Sequence, residues 1–249
     1  MFRPRGSDLV RGWPGRIEDG HVVQLAAQTL QAYFTGGGNA REHAVFRLAD
    51  VELLAPVLEP PSLRLFDLAG RAPALRYGNP TTIFGPSQEV PYPEGVKQLD
   101  YELVLAAVAG AGGAIAGFTI MNDWTARDLE RGRRGWTGAA KARDFATSIG
   151  PVLVPAGELG DGWGAPWRVS VSGEERAAAG SVPMRWSWQE LVAAATLNAS
   201  LLPGDLIGLG WPGALARSAG QQSLRPGDEV ELEIEGIGVL ESTVAARGG

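Results

Sequence analysis

Along the chain, apolar and polar positions alternate in short runs that break at Gly and Pro. Val230, Leu232 and Ile234 alternate with Glu231 and Glu233, the period of a strand with one face buried and one wet. His21 to Leu25 alternates weakly, and Val51 to Leu58 reads as extended. Tyr101 to Ala109 and Phe118 to Met121 are nearly continuous apolar runs, as expected of strands buried on both faces. Ala26 to Phe34 has helical character and ends at Gly36-Gly37-Gly38. Two similar pieces, Pro203-Gly204-Asp205 and Pro226-Gly227-Asp228, each read as a turn feeding a strand. Asn122-Asp123-Trp124-Thr125-Ala126-Arg127-Asp128 reads as a strand end followed by a capped helix start. The pattern predicts a mainly β protein with few helices and no long repeat.

Glu59-Pro60-Pro61-Ser62 is a stiff connector that neither a helix nor a central strand tolerates. It divides the chain into a small N-terminal β domain, 1–58, and a main domain, 59–249. With 35 Gly and 17 Pro in 249 residues, about a fifth of the chain consists of turn formers, which agrees with many short strands. The net charge is −6, and without a basic cluster nucleic acid is not an expected partner. Cysteine is absent, which excludes disulfides, thiol nucleophiles and cysteine metal sites. Leu103 to Asn122 is an uncharged run of 20 residues, long enough to cross a bilayer. Its Ala/Gly composition and its central Gly110-Ala111-Gly112-Gly113 favour two strands around a turn instead. The start has no apolar stretch of signal length, so the expectation is a cytoplasmic protein without a membrane partner.

Four polar residues could carry chemistry. In the run 99–105, Glu102 and Val104 share one strand face, while Tyr101, Leu103 and Leu105 share the other. A carboxylate inside an apolar strand needs a partner: an Arg, the wet end of the strand, or a cation. Asp123 ends a second apolar strand and could cap the following helix, or join Glu102 around a hard cation. Arg127 lies one helical turn beyond, placed for an anionic substrate or for pairing with Asp128. Lys141, one of only two lysines against 20 arginines, follows a Gly-rich stretch and could neutralise an enolate or carboxylate, or be an ordinary surface lysine.

These residues sit in runs that resemble the fumarylacetoacetate hydrolase family. The runs are LDYELVLAAVAG (99–110), MNDWTARDLE (121–130) and KARDFATSIGP (141–151). PPSLRLF (60–66), YGNPTTIFGPSQEVPYP (77–93), LLPGDLIGLG (201–210) and RPGDEVELEIEGIG (225–238) support them in the family's order. The resemblance implies a mixed β-sandwich roll, a homodimer, and a Mg²⁺ or Mn²⁺ ion held by carboxylates, with a small carbonyl acid as substrate. It implies Glu102 and Asp123 as metal ligands. Arg127 and Lys141 fall at substrate-contacting positions, with Tyr101 and Trp211 as further candidates for the pocket wall.

The departures from the family pattern form a set. Val104 stands where a second Glu is usual, Leu65 where an Asp is usual, Trp211 where Thr is common, and Glu130 where Gln often follows. No His follows Leu65, although a water-activating His is usual there, and Asp67 is the nearest acid. His21 and His43 are the only histidines, and Glu42-His43 reads as a surface pair. With Val104 in place of a ligand, metal-free function stands beside metal-dependent function. The expected activity is therefore a non-hydrolytic reaction of an enolisable 1,3-dicarbonyl or 2-oxo acid in specialised metabolism. Cyclisation, isomerisation or decarboxylation would all fit, with Lys141, Arg127, Glu102 and Asp123 as the acid–base and electrostatic set. The alternatives are a metal-dependent C–C hydrolase or decarboxylase of acylpyruvate-like acids, and a non-catalytic binding subunit.

Overall fold

Short apolar strands bounded by Gly and Pro turns must pair widely to bury their faces, and here they form two facing sheets with a smaller set of strands at the N-terminus. The computed structural model describes residues 1–67, 73–132, 139–160, 164–180, 186–210 and 223–246. The first strands are β1 (Phe2–Pro4), β2 (Gly15–Glu18), β3 (His21–Leu25), β4 (Glu42–Arg47) and β5 (Val51–Leu53), with α1 (Leu30–Thr35) between β3 and β4. Among the described residues β1 pairs with β5, and β3 lies between β2 and β4.

The next strands are β6 (Leu63–Asp67), β7 (Ala74–Gly78), β8 (Ile83–Phe84), β9 (Gln88–Val90), β10 (Leu99–Asp100), β11 (Leu103–Ala109) and β12 (Ile115–Asp123). They are followed by β13 (Thr125–Ala126), α2 (Arg127–Gly132), β14 (Thr147–Pro155), α3 (Ala156–Leu159), β15 (Trp167–Val171) and β16 (Glu174–Ala179). The chain ends with α4 (Trp188–Ala195), β17 (Leu206–Gly210), β18 (Glu229–Ile234) and β19 (Gly238–Val244). One sheet has the order β7-β6-β17-β11-β12-β14-β8, and the other β16-β15-β18-β19-β9. Both are mixed, with parallel pairs at β6/β17, β8/β14 and β9/β19. A short β10/β13 pair lies beside them.

Alternation along β11 divides the interior in two. Tyr101, Leu103, Leu105 and Ala107 face the core between the sheets, together with Val169, Val230, Leu232, Ile234 and Leu240. Val104, Ala106 and Val108 face the other way, onto Leu65, Met121, Ile149 and Leu206 and onto Ala55 and Val57 of the preceding segment. The uncharged run 103–122 is the β11/β12 hairpin, with Leu103 opposite Asn122. Among the described residues no helix is long and apolar enough to cross a membrane.

Both Pro-Gly-Asp pieces are turns of one kind. Gly204 and Gly227 sit at φ of +90° and +87°, which a type II turn requires after its Pro. The Asp205 and Asp228 carboxylates accept the N–H groups of Leu202 and Arg225, at 2.6 and 2.7 Å. The N-terminal expectations are shortened. The helix expected over 26–34 begins only at Leu30, because Ala27 turns back onto the Leu25 carbonyl and Thr29 caps the N–H of Ala32. The extended stretch expected over 51–58 is strand only to Leu53. Helix α4, which the apolar pattern leaves unmarked, starts at a capping box formed by Ser187 and Glu190.

Candidate functional site

Register brings the candidate residues to one end of one sheet face. In β11 and β12 the face carrying Val104 and Met121 extends to Glu102 and Asp123. The backbone fixes that end: the Glu102 N–H donates to Asn122 Oδ1 at 3.0 Å, and the Asp123 N–H donates to the Glu102 carbonyl at 3.1 Å. On β7, Arg76 pairs in register with Leu65 and reaches the same face, where it donates to Asp123. Arg127 opens α2 with its N–H on the Gln98 carbonyl at 2.8 Å. Arg143 follows the short helical turn Ala139–Ala142.

The outcome is a knot of ion pairs. Arg143 reaches Glu102 at 2.9 Å, Asp123 at 2.6 Å and Glu130 at 2.8 Å. Arg127 reaches Asp100 at 2.8 Å, Glu102 at 2.7 Å and Glu130 at 3.1 Å. Asp123 is 1% exposed, and the side chains of Arg127, Arg143 and Glu102 are 8%, 14% and 15% exposed. Burial works against ionisation of Glu102, yet the guanidinium groups of Arg143 and Arg127 outweigh it and hold its carboxyl below the ordinary range. At Asp123 burial prevails over Arg76 and Arg143, with the Glu102 charge adding to it, and the carboxyl is pushed up.

The other candidates are placed differently. Lys141 is exposed and pairs with Asp144, whose carbonyl accepts from Asn79 Nδ2 at 3.0 Å. Tyr101 lies on the opposite strand face, buried in the core between the sheets, and burial pushes its hydroxyl up to about 12. Arg127 does not pair with Asp128, whose carboxylate instead accepts the N–H groups of Lys97 and Gln98. Trp211 lies outside the described residues. Of the other tryptophans, Trp124 is core and donates to Ser148 Oγ at 2.9 Å, and Trp188 packs on Phe118. His43 is on β4, exposed, and beside Glu42, which pairs with Arg16. Sequence reasoning missed Arg76 and Arg143. Arg143 stands inside the KARDFATSIGP run, and Arg76 is the polar member of Leu75-Arg76-Tyr77 in an alternating strand. Neither position is marked by spacing alone.

The residues do not fit a divalent metal ion. Glu102 and Asp123 are each bound by two guanidinium groups. The two further positions at which carboxylates were expected, Leu65 and Val104, are 2% and 1% exposed and pack in one apolar cluster. They close over Gly208, where an added Cβ would come within 2.4 Å of Leu65 Cδ2 and 3.0 Å of Val104 Cγ1. A hard cation needs several free oxygens, and here an apolar plug and guanidinium groups stand in their places. Among the described residues no group of three His, Asp or Glu side chains is placed to hold a metal.

Known proteins share this architecture. A fumarylacetoacetate hydrolase from the psychrophile Exiguobacterium antarcticum superposes with a TM-score of 0.81 at 26% identity, over 95% of this chain and 96% of that one. A probable 2-hydroxyhepta-2,4-diene-1,7-dioate isomerase from Mycobacterium abscessus does so with a TM-score of 0.80 at 25% identity, over 95% and 96%. In sequence, the oxaloacetate tautomerase YisK of Bacillus subtilis is 31% identical over 178 residues, 67% of this chain and 59% of that enzyme. Residues 66–245 match the family described as fumarylacetoacetate (FAA) hydrolase C-terminal, and the chain belongs to that family.

Proposed function

We propose that this chain catalyses proton transfer in an enolisable 2-oxo or 1,3-dicarbonyl acid, as a tautomerase or isomerase, without hydrolysis. The observation that carries this reading is the gathering of Arg76, Arg127 and Arg143 on the carboxylates at the end of β11 and β12. Fixed guanidinium groups in a largely dry site stabilise charge that develops on an enolate oxygen. Arg76 and Glu130 are the members that reach solvent, with side chains 35% and 31% exposed. A substrate carboxylate would dock on Arg76, and Glu130 would be the most exposed carboxylate of the cluster that a bound molecule meets.

The chemistry balances without a co-reactant. The proton on the carbon beside the carbonyl passes to the Glu130 carboxylate, and the C–H electron pair becomes the C=C of the enolate facing Arg76. Return of that proton to the oxygen gives the enol, and the reverse path gives the ketone. Arg127 and Arg143, being buried, position Glu130 rather than touch substrate. Cyclisation or decarboxylation would draw on the same enolate. Hydrolysis needs an activated water, and both histidines are exposed on the N-terminal strands β3 and β4. The tautomerase of Bacillus subtilis and the isomerase of Mycobacterium abscessus lend support as relatives.

A second reading, a non-catalytic binding subunit, is favoured by the Leu65–Val104 plug and by the pairing of every arginine in the cluster. The deciding experiment follows loss of enol absorbance for oxaloacetate and for acylpyruvates, with chromatography of the products. We expect ketone–enol exchange without cleavage products. Arg76→Ala and Glu130→Gln should each slow it by about tenfold or more. Release of pyruvate from an acylpyruvate would replace the reading with hydrolysis. No turnover of any of these acids would favour the binding subunit.

A further inference from the structure

Relatives of this fold include a 2-keto-3-deoxy-D-arabinonate dehydratase solved with magnesium, a likeness of fold alone at 19% identity. Glu102 Oε1 lies 2.7 Å from Arg127 Nη2 and 2.9 Å from Arg143 Nη2, and its Oε2 accepts from Arg143 Nη1. Asp123 Oδ2 takes both Arg76 Nη2 and Arg143 Nη1, the latter at 2.6 Å. A cation seated on these oxygens would have to displace two guanidinium groups from Glu102 and two from Asp123. It would then find Leu65 and Val104 closed over Gly208 where further oxygens would be needed.

We infer that Arg143, braced by Arg76 and Arg127, stands in the place of a divalent cation among these carboxylates and leaves the exposed Arg76 to meet the ligand, so that ligand binding here is independent of metal. The inference rests on the same site as the proposed function and deepens it by naming how an anion is held. A guanidinium fork binds a carboxylate through paired N–H donors, whereas a metal binds it by coordination. The two modes differ in a way that a chelator reveals. Oxalate, a small planar dianion, binds a metal centre only while the metal is present, and a guanidinium centre without it. The exposed edge of Arg76 is the approach such an anion would use.

The experiment is calorimetry on the purified chain after chelator treatment, with Mn²⁺ alone and then oxalate alone, the latter with and without excess chelator. We expect no saturable Mn²⁺ binding at millimolar concentration. Oxalate should bind with equal affinity in both buffers and lose about tenfold or more in affinity in Arg76→Ala. Saturable Mn²⁺ binding that disappears in Glu102→Gln would overturn the inference, as would oxalate binding that the chelator abolishes. Mn²⁺ binding unchanged in Glu102→Gln belongs to another place and leaves the inference standing. Absence of both Mn²⁺ and oxalate binding would keep the site metal-independent while removing the anion docking on which the proposed function depends. Turnover together with Glu102-dependent metal binding would do the reverse, so the two can fail separately.

Discussion

The N-terminal strands and the end of the seven-stranded sheet both carry arginine–glutamate pairs, and the two sets differ in what surrounds them. Arg16 on β2 reaches Glu18 at 2.9 Å and Glu42 at 2.8 Å, with all three side chains about half exposed. Arg143 Nη2 makes contacts of the same length to Glu102 and Glu130, at 2.9 and 2.8 Å, but its side chain is 14% exposed and Glu102 is hardly more open. At the surface, water and salt screen the pair, and holding two long side chains together costs entropy. In the buried knot Arg127, Arg143, Glu102 and Asp123 have left most of their water and depend on their partners, so the loss of one leaves others stranded. Contact distances alone rank these regions as equals. Burial separates them.

The sharpest way to break that comparison is Arg143→Ala. It removes a shared partner from Glu102, Asp123 and Glu130 at once. Leaving buried carboxylates uncompensated costs about 3–5 kcal/mol, which denaturant titration resolves with ease. A smaller loss, comparable to that of a surface arginine, would show that water reaches the knot and that burial does not govern it.

How much of this was legible in the sequence depends on range. The faces of β11 follow from period-two alternation, and Tyr101, Leu103 and Leu105 do point away from Val104 as that period requires. The two Pro-Gly-Asp turns were readable because Gly at positive φ after Pro is a local requirement. Glu102 announced that it needed a partner, and an arginine was among those weighed. Which arginine was not readable, because Arg76 arrives through the β6/β7 pairing and Arg143 from a loop beyond α2. The apolar losses at Leu65 and Val104 looked like missing ligands. Only their convergence over Gly208 shows that they fill the space. Tyr101 illustrates the limit of analogy, since its position beside Glu102 in sequence puts it on the other side of the sheet.

A finer test within the knot uses Glu130, its most exposed acid. Burial tends to raise this carboxyl, yet the guanidinium groups of Arg143 and Arg127 hold it below the ordinary range. A carboxyl depressed on folding adds stability above its unfolded value, near 4.5, and that stability is lost as the pH falls through the folded value. Glu130→Gln should therefore lower stability at neutral pH, and the gap from the parent chain should close as the pH drops below about 4.5. Denaturant midpoints measured across that range give the answer. A gap of constant size would mean that the Gln amide disturbs packing and that the Glu130 charge contributes little.

The smallest effect is expected where the contacts look just as good. Arg16→Ala removes both Arg16–Glu18 and Arg16–Glu42, yet the residues that hold the β2–β3–β4 sheet in place lie elsewhere. Phe2, Val22 and Val51 form the buried cluster there, with Trp13 and Phe46 packed against it, and none of them depends on the Arg16 head group. The guanidinium is in water before and after unfolding, so little changes on its removal. Its unfolding midpoint should match the parent within error, in low salt and in high. A clear drop in low salt that added salt erases would mean that the Arg16 pairs carry weight at the surface, and the contrast with Arg143 would then be one of degree.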